Sequence, residues 1–146
     1  MPRLLVFVAL LLMLAAAVAA PLLAERSSPA AVPLYGAFSW ICQQRPQRAW
    51  LLGGFPLAVC IRCLGLYAGA LAGAAAGLRF FRLLMLGSMA LLGAEWLVEA
   101  CGWLAAPPLA RFATGLLAGF FLVPALWGEQ GEPILRIPWR KGEARP

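Results

Sequence analysis

Four apolar stretches, each close to the length of a membrane-crossing helix, make up most of this chain. They cover residues 4–24, 57–78, 83–105 and 109–127. A helix needs about 20 predominantly apolar residues to cross the roughly 30 Å hydrocarbon core of a bilayer. Of the 146 residues, 63% are hydrophobic and only 12% are charged, whereas soluble domains carry about 25% charged residues. The sequence therefore predicts an all-α integral membrane protein with four transmembrane helices, in contact with the lipid bilayer.

The stretches divide the chain into four parts: a first transmembrane helix (1–24), a long outer-face loop containing Cys42 (25–56), a three-helix membrane core (57–127) and a basic cytoplasmic tail (128–146). The first part also resembles a signal peptide or signal anchor, since Arg3 precedes a leucine-rich run that ends in small residues. Pro21 lies close behind any cleavage site, however, and the apolar run continues past it. We therefore expect a retained first helix.

The distribution of basic residues predicts the orientation in the membrane. On one side of the four spans lie seven of them: Arg3, Arg79, Arg82, Arg136, Arg140, Lys141 and Arg145. The loop at 25–56 has three, Arg26, Arg45 and Arg48. By the positive-inside rule, both termini are cytoplasmic and the loop is outside, as in a multi-pass protein of a bacterial inner membrane. The net charge of +6 does not indicate a nucleic-acid partner, because the basic residues are spread between apolar blocks.

Glycine recurs at every fourth position of the second span, at Gly65, Gly69, Gly73 and Gly77. Residues four apart share one face of a helix, so these glycines form a face without side chains. Such a face allows a neighbouring helix to approach backbone to backbone. The neighbour is either another span of the chain or a second copy of it in a homo-oligomer.

Three cysteines are the main candidates for chemistry. Cys60 and Cys63 stand two residues apart with Arg62 between them, and Cys42 lies in the outer loop. A helical start at Cys60 would place both thiols within reach of a shared metal, a disulfide or thiol exchange. The chain has no histidine, aspartate or asparagine, which excludes a Ser-His-Asp triad, a histidine-ligated haem and a histidine-rich zinc site. Cys101 is expected to be a small apolar core residue of the third helix.

Ionisable residues within the spans form a second candidate group. Glu95 and Glu99 are four apart and share one face of the third helix. Carboxylates at such depth are costly, so we expect Arg62 or Arg111 to pair with Glu99, and Glu95 to be hydrogen-bonded or protonated. Two interpretations stay open: an ion pair that fixes the helix register, or a group that serves a substrate or a proton.

These residues also resemble a known family. The segments CQQ at 42–44, with Pro46 and Arg48, and PLAVCIRCLGLYAG at 56–69 are similar to the signature of the bacterial membrane proteins called domain of unknown function 2085. That signature reads approximately CHQ-x-P-x-RS and PLCARCTGIYxG, followed later by DGLTQ and R-x-x-TG. Gln43 stands where the family usually has histidine, Glu95 where it has aspartate and Glu99 where it has glutamine. The resemblance implies the class of protein and the site positions, but no activity.

Three functions remain open for the outer-face cysteines. The first is a structural disulfide clamp, in which Cys42 bonds to Cys60 or Cys63, as cysteines in oxidising compartments commonly do. The second is a membrane thiol-disulfide oxidoreductase linked to a quinone, with Arg62 lowering a thiol pKa. Such enzymes generally have a second cysteine pair, which this chain lacks. The third is a metal site of three thiolates, with Zn²⁺ as the candidate ion. A transporter based on Glu95 and Glu99 would need an oligomer.

Overall fold

The computed structural model describes residues 2–76 and 82–126, and these residues are mainly helical. In chain order the elements are α1 (Pro2–Glu25), α2 (Ala31–Ser39), a 3₁₀ turn (Pro46–Arg48), β1 (Leu51–Leu52), β2 (Phe55–Pro56), α3 (Ile61–Ala76), α4 (Arg82–Ala100) and α5 (Pro108–Leu126). The two short strands pair as an antiparallel hairpin. The predicted tail at 128–146 and Gly77 lie outside the described residues.

Within the described residues, three helical segments are long and apolar enough to cross a membrane: Leu4–Glu25, Leu83–Ala100 and Pro108–Leu126. Much of their apolar surface is uncovered, since only 6% of the Leu83–Ala100 segment is buried within the chain. Water would oppose such exposure, whereas lipid tails would not. The predicted membrane class therefore agrees with these surfaces. Helix α3 is also apolar, but its described length is 16 residues, slightly below the usual range for a span.

Helix α3 begins four residues later than the predicted start at Leu57. Residues 57–59 are buried but not helical. The Leu57 amide donates to the carbonyl of Trp50 at 2.8 Å, and the Ala58 amide donates to the carbonyl of Ala17 at 3.5 Å. These bonds hold the residues in a segment that lies between the hairpin and α1, ahead of the start of α3.

The Ala17 carbonyl is free to accept this bond because Pro21 follows it by one helical turn within α1. Proline has no N–H, so the usual bond to the residue four before it is missing. Ala17 and Ala20 are completely buried and Pro21 is nearly so. The Pro21 turn of α1 is thus the place where the segment before α3 packs against the first helix.

Helix α4 ends at Ala100 and not at the predicted Ala105. Gly102 has a φ of +72°, a conformation that ends helices. The Trp103 amide then donates to the Val98 carbonyl at 3.2 Å, and the Gly102 amide to that of Glu99 at 3.1 Å. Cys101 lies at this helix end and is exposed. The expectation that Cys101 is a buried core residue is therefore wrong.

The glycine face of α3 packs against α5 of the same chain. A Cβ atom added to Gly65, Gly69 or Gly73 would overlap the backbone of α5, and one added to Gly115 or Gly119 would overlap the backbone of α3. The predicted close approach of two helices is confirmed. Since α5 already occupies this face, a homo-oligomer, which stays a prediction, would need a different contact surface.

The segment between α1 and α3, predicted as a long loop, has secondary structure of its own. It contains α2, the 3₁₀ turn and the hairpin. The Tyr35 hydroxyl donates to the carbonyl of Pro56 at 2.5 Å, and the ring of Trp50 lies 5.4 Å from that of Phe112 on α5, centroid to centroid. We call residues 26–60 the outer cap, a name that follows the predicted orientation, because these contacts fix the segment over one end of α3 and α5.

Candidate functional site

Three cysteines meet at the junction of the outer cap and α3. The Sγ atoms of Cys42, Cys60 and Cys63 all lie within 4.8 Å of one another. Cys42 is buried, and the other two are partly buried. No disulfide joins any of the four cysteines, all of which fall in the described part of the chain. These three cysteines are the candidates predicted from the sequence, and the structure brings them together as one thiol cluster.

Local backbone geometry positions each thiol. Cys42 follows the end of α2, where its amide donates to the carbonyl of Phe38 at 2.9 Å. Cys60 comes directly before α3, and its carbonyl accepts a bond from Leu64 at 2.9 Å, the first bond of the helix. Cys63 lies in the first turn of α3. The cluster therefore stands at the N-terminal end of a helix, where the helix dipole favours negative charge.

The environment of Cys42 favours its thiolate form. Hydrogen bonds from the thiols of Cys60 and Cys63 lower the pKa of Cys42 well below its usual value, and burial opposes them without prevailing. The backbone amide of Cys60 also donates to the Cys42 sulfur at 3.2 Å. Donors directed at a sulfur stabilise its negative charge. Cys42 is thus suited to act as a ligand or a nucleophile.

Gln44 fixes the chain beside Cys42. Its side-chain amide donates to the carbonyls of Tyr35 and Ala58, each at 2.8 Å. Gln44 itself has a φ of +47°, which turns the chain sharply after Cys42. Two carbonyls from distant parts of the cap are satisfied by one side chain. Gln44 was not predicted to have a role of its own, although the family signature contains this position.

A cluster of ion pairs lies next to the thiols. Glu99 is nearly buried, with 6% of its side chain exposed, and it contacts three guanidinium groups. Arg111 and Arg48 reach its Oε1 atom at 2.8 Å and 2.9 Å, and Arg62 reaches its Oε2 atom at 3.0 Å. The structure thus places Glu99 against both arginines that were predicted as partners, and adds Arg48, which was not predicted as a partner.

Glu95 lies one helical turn away and is also paired. Arg62 contacts its Oε1 atom at 3.0 Å, and the hydroxyl of Thr114 donates to its Oε2 atom. Arg62 therefore bridges both carboxylates. Gly115 allows α5 to approach the backbone of α3 at Arg62, and both Arg62 from α3 and Arg111 from α5 contact Glu99. The glycine contact between the helices thus positions the charges.

A cavity of about 270 Å³ connects the thiol cluster with the ion pairs. Its lining consists of the three clustered cysteines, four arginines and three other residues: Cys42, Cys60, Cys63, Arg45, Arg48, Arg62, Arg111, Ile41, Gln43 and Trp96. Gln43, at the position where the family usually has histidine, faces the same space. The site is therefore one thiol- and arginine-lined cavity shared by the outer cap, α3, α4 and α5.

These features define the class of the protein: a helical membrane protein with a cysteine, arginine and glutamate centre at one end of its helices. The chain belongs to the family described as "Predicted membrane protein (DUF2085)", whose match covers residues 42–124. The resemblance stated from the motifs is thereby confirmed. The matched region begins at Cys42 and contains the whole cavity apart from Ile41.

One curated relative is similar over a short region. It is an uncharacterised protein, MJ1492, of Methanocaldococcus jannaschii, 50% identical over 40 residues. The aligned region covers 27% of this chain and 26% of the relative, so the chain spans about a quarter of the relative's length. This relative is archaeal, so similarity of this kind is not confined to bacteria. No solved structure matches the chain.

Proposed function

We propose that this protein binds a thiophilic metal ion at the thiol cluster of its membrane-embedded centre, with Zn²⁺ as the ion to be tested. The observation that carries the proposal is the mutual approach of three sulfurs within 4.8 Å. Three thiolates and an open fourth position form a known type of zinc coordination, and thiolates select Zn²⁺ and Cu⁺ among the available ions. The cavity lies where the fourth ligand, a water molecule or a bound group, would stand.

The spacing of the sulfurs supports a metal better than a single disulfide. Tetrahedral coordination with Zn–S bonds near 2.3 Å separates the sulfurs by roughly 3.8 Å, so closing the observed triangle needs only a small movement. A disulfide needs two sulfurs about 2.05 Å apart and leaves the third unused. The Cys60 amide that points at the Cys42 sulfur matches the hydrogen bonds that commonly surround metal-bound thiolates.

The disulfide clamp is the competing proposal, and one observation favours it. Cys42 belongs to the outer cap, whereas Cys63 belongs to α3, so a bond between them would join the cap covalently to the helices. A quinone-linked thiol oxidoreductase would use the same bond transiently. Its case is weaker, because the one cysteine outside the cluster, Cys101, lies alone at the end of α4.

Metal content in cysteine variants tests the proposal. Protein produced with added Zn²⁺ and purified in detergent without reductant is expected to hold one zinc per chain. Cys42→Ser, Cys60→Ser and Cys63→Ser should each lower the bound zinc at least tenfold, since every variant removes one of three ligands. Elemental analysis measures the metal. Cys101→Ser is the matched control and should retain it.

A thiol titration of the unfolded protein separates the two proposals. After removal of zinc with a chelator, a metal site yields four free thiols per chain, and the clamp yields two. Zinc that remains equal in the Cys60→Ser and Cys101→Ser variants would contradict the metal proposal.

We further propose a four-span arrangement in which α1, α3, α4 and α5 each cross a bacterial inner membrane, with the outer cap on the outer face. The described part of α3 is short, but the apolar sequence continues to Leu78. Seven basic residues on one side against three on the other support cytoplasmic termini.

Reporter fusions test this orientation. A reporter that is active only in the cytoplasm should be active when fused after Arg145 and silent when inserted at Gln47, which is exposed in the 3₁₀ turn. A reporter active only outside should give the opposite pattern. Activity of the cytoplasmic reporter at Gln47 would place the thiol cluster in a reducing compartment and would refute the orientation.

A further inference from the structure

We infer that the cavity binds a phosphate-type oxyanion, held by Arg45, Arg48 and Arg111 beside the thiol cluster. The inference rests on the arginines and carboxylates and does not depend on the proposed metal. Arginine guanidinium groups form planar, paired hydrogen bonds that match phosphate oxygens. The ligand is either a free phosphate compound or the headgroup of a phospholipid, which share this chemistry.

The cavity has a surplus of positive charge. Four arginines line the cavity, and among the described residues their ion-pair partners are two carboxylates, those of Glu95 and Glu99. Two positive charges therefore lack a carboxylate partner, and one remains uncompensated when the Cys42 thiolate is counted. A Zn²⁺ ion with three thiolates would carry one negative charge in total, so a surplus would remain even with the metal bound. Uncompensated charge at a membrane-embedded site is costly, and an anion would offset it.

The arginines also have more hydrogen-bond donors than the two carboxylates use. A guanidinium group has five N–H donors, yet Arg62 and Arg111 each contact the carboxylates through Nη2 alone. The Nε atoms of both are buried without a partner among the described residues. Arg111 is 9% exposed as a residue and lines the cavity. Oxygen acceptors placed in the cavity would engage donors that the two carboxylates leave free.

The size and the lining of the cavity suit a phosphate group. A volume of about 270 Å³ corresponds to roughly nine water molecules at 30 Å³ each, enough for a phosphate group with a small substituent. Arg45 is exposed at the entrance and makes no ion pair with a described residue. Ile41 and Trp96 add apolar surface to the lining. The combination suits an anionic group that carries a less polar part, as phosphate esters do.

Thermal unfolding of the full-length protein in detergent tests the inference with inorganic phosphate as the probe. Titration of phosphate against chloride at constant ionic strength should raise Tm with a saturable dependence on concentration. Arg45→Gln and Arg48→Gln should each raise the half-saturating concentration at least tenfold, because each removes a charged contact. Arg26→Gln, an exposed change outside the cavity, should leave it unchanged. The same titration on protein stripped of metal with a chelator should still show saturable binding, which separates this inference from the metal proposal.

A second arm distinguishes the source of the phosphate group. The protein is placed in nanodiscs of phosphatidylcholine with phosphatidylglycerol, released, and examined by native mass spectrometry. The ligand is a lipid headgroup if the unmodified protein retains phosphatidylglycerol, Arg45→Gln loses it, and inorganic phosphate shows no saturable binding. Saturable binding of phosphate identifies a soluble ligand. If neither ligand is held, or if Arg45→Gln and Arg26→Gln behave alike in both arms, the inference is wrong.

Discussion

Glu99→Gln is expected to lower the free energy of unfolding by about 3 to 5 kcal/mol, the cost of removing one partner from a buried ion pair. Glu99 is the carboxylate that Arg48, Arg62 and Arg111 all contact. The uncharged amide of glutamine cannot balance the charge of three guanidinium groups. Glu95 would be the remaining carboxylate, and of the three arginines it contacts only Arg62. Thermal or denaturant unfolding in a fixed detergent measures the loss.

Two variants serve as controls for this prediction. Glu95→Gln should cost less, because Arg62 keeps its contact with Glu99 and Thr114 can still donate to the amide oxygen. Glu25→Gln, an exposed change at the end of α1, should be close to neutral, as surface charges generally are. Should Glu99→Gln unfold at the same temperature as Glu25→Gln, the ion pairs contribute nothing measurable and the structural role of the cluster is refuted.

Gly69→Ala is expected to separate α3 from α5 and to destabilise the protein by about 3 kcal/mol or more, at or beyond the upper end of the usual cost of overpacking. The added methyl group would overlap the carbonyl oxygen of Leu116, and its other near neighbours are backbone atoms of the same residue. Backbone atoms cannot move aside as a flexible side chain can. The helices must therefore shift, which would also displace Arg62 from Arg111.

Gly87→Ala and Gly93→Ala are matched controls on α4. Neither glycine has an atom within 4 Å of the position of an added Cβ, and both are helical. By helix propensity alone, alanine should stabilise each position by up to about 1 kcal/mol. Circular dichroism and thermal unfolding follow both sets of variants. Equal stability of Gly69→Ala and Gly93→Ala would contradict the close packing of α3 on α5.

The periodic patterns of the chain predicted the helices and the existence of a close helix contact. They did not identify the partner helix, because the glycines of α3 indicate a face suited to close contact but not which helix packs against it. Gly115 and Gly119 on α5 carry the same four-residue spacing, and their pairing with Gly65 and Gly69 becomes evident only in three dimensions. The spacing of glycines within one helix is a local property of the sequence, whereas the pairing of α3 with α5 depends on how all the helices pack.

The helix ends were less predictable, for reasons that particular residues explain. The non-helical segment before α3 exists because Pro21 frees a carbonyl in α1, some forty positions earlier in the chain. No sequence pattern near Leu57 indicates that contact. The end of α4, in contrast, had a local signal in Gly102, since glycine after an apolar helix commonly ends it.

The sequence predicted the residues of the candidate site but not all the contacts between them. Cys42, Cys60 and Cys63 were named from their spacing and from the family signature, and the structure brings their sulfurs together. Arg48 was missed as a partner of Glu99 because it lies in the outer cap, far from α4 in sequence. Its recurrence in the family signature, shortly after the first cysteine, was the available signal.

X-ray absorption at the zinc edge tests the central proposal most directly. Protein expressed with zinc and purified without reductant or chelator would be measured alongside the Cys60→Ser variant. We expect three sulfur ligands at about 2.3 Å and one lighter ligand in the unmodified protein, and one sulfur fewer or no bound zinc in the variant. A shell of nitrogen and oxygen atoms alone, or a protein without metal in which two cluster cysteines form a disulfide, would contradict the account.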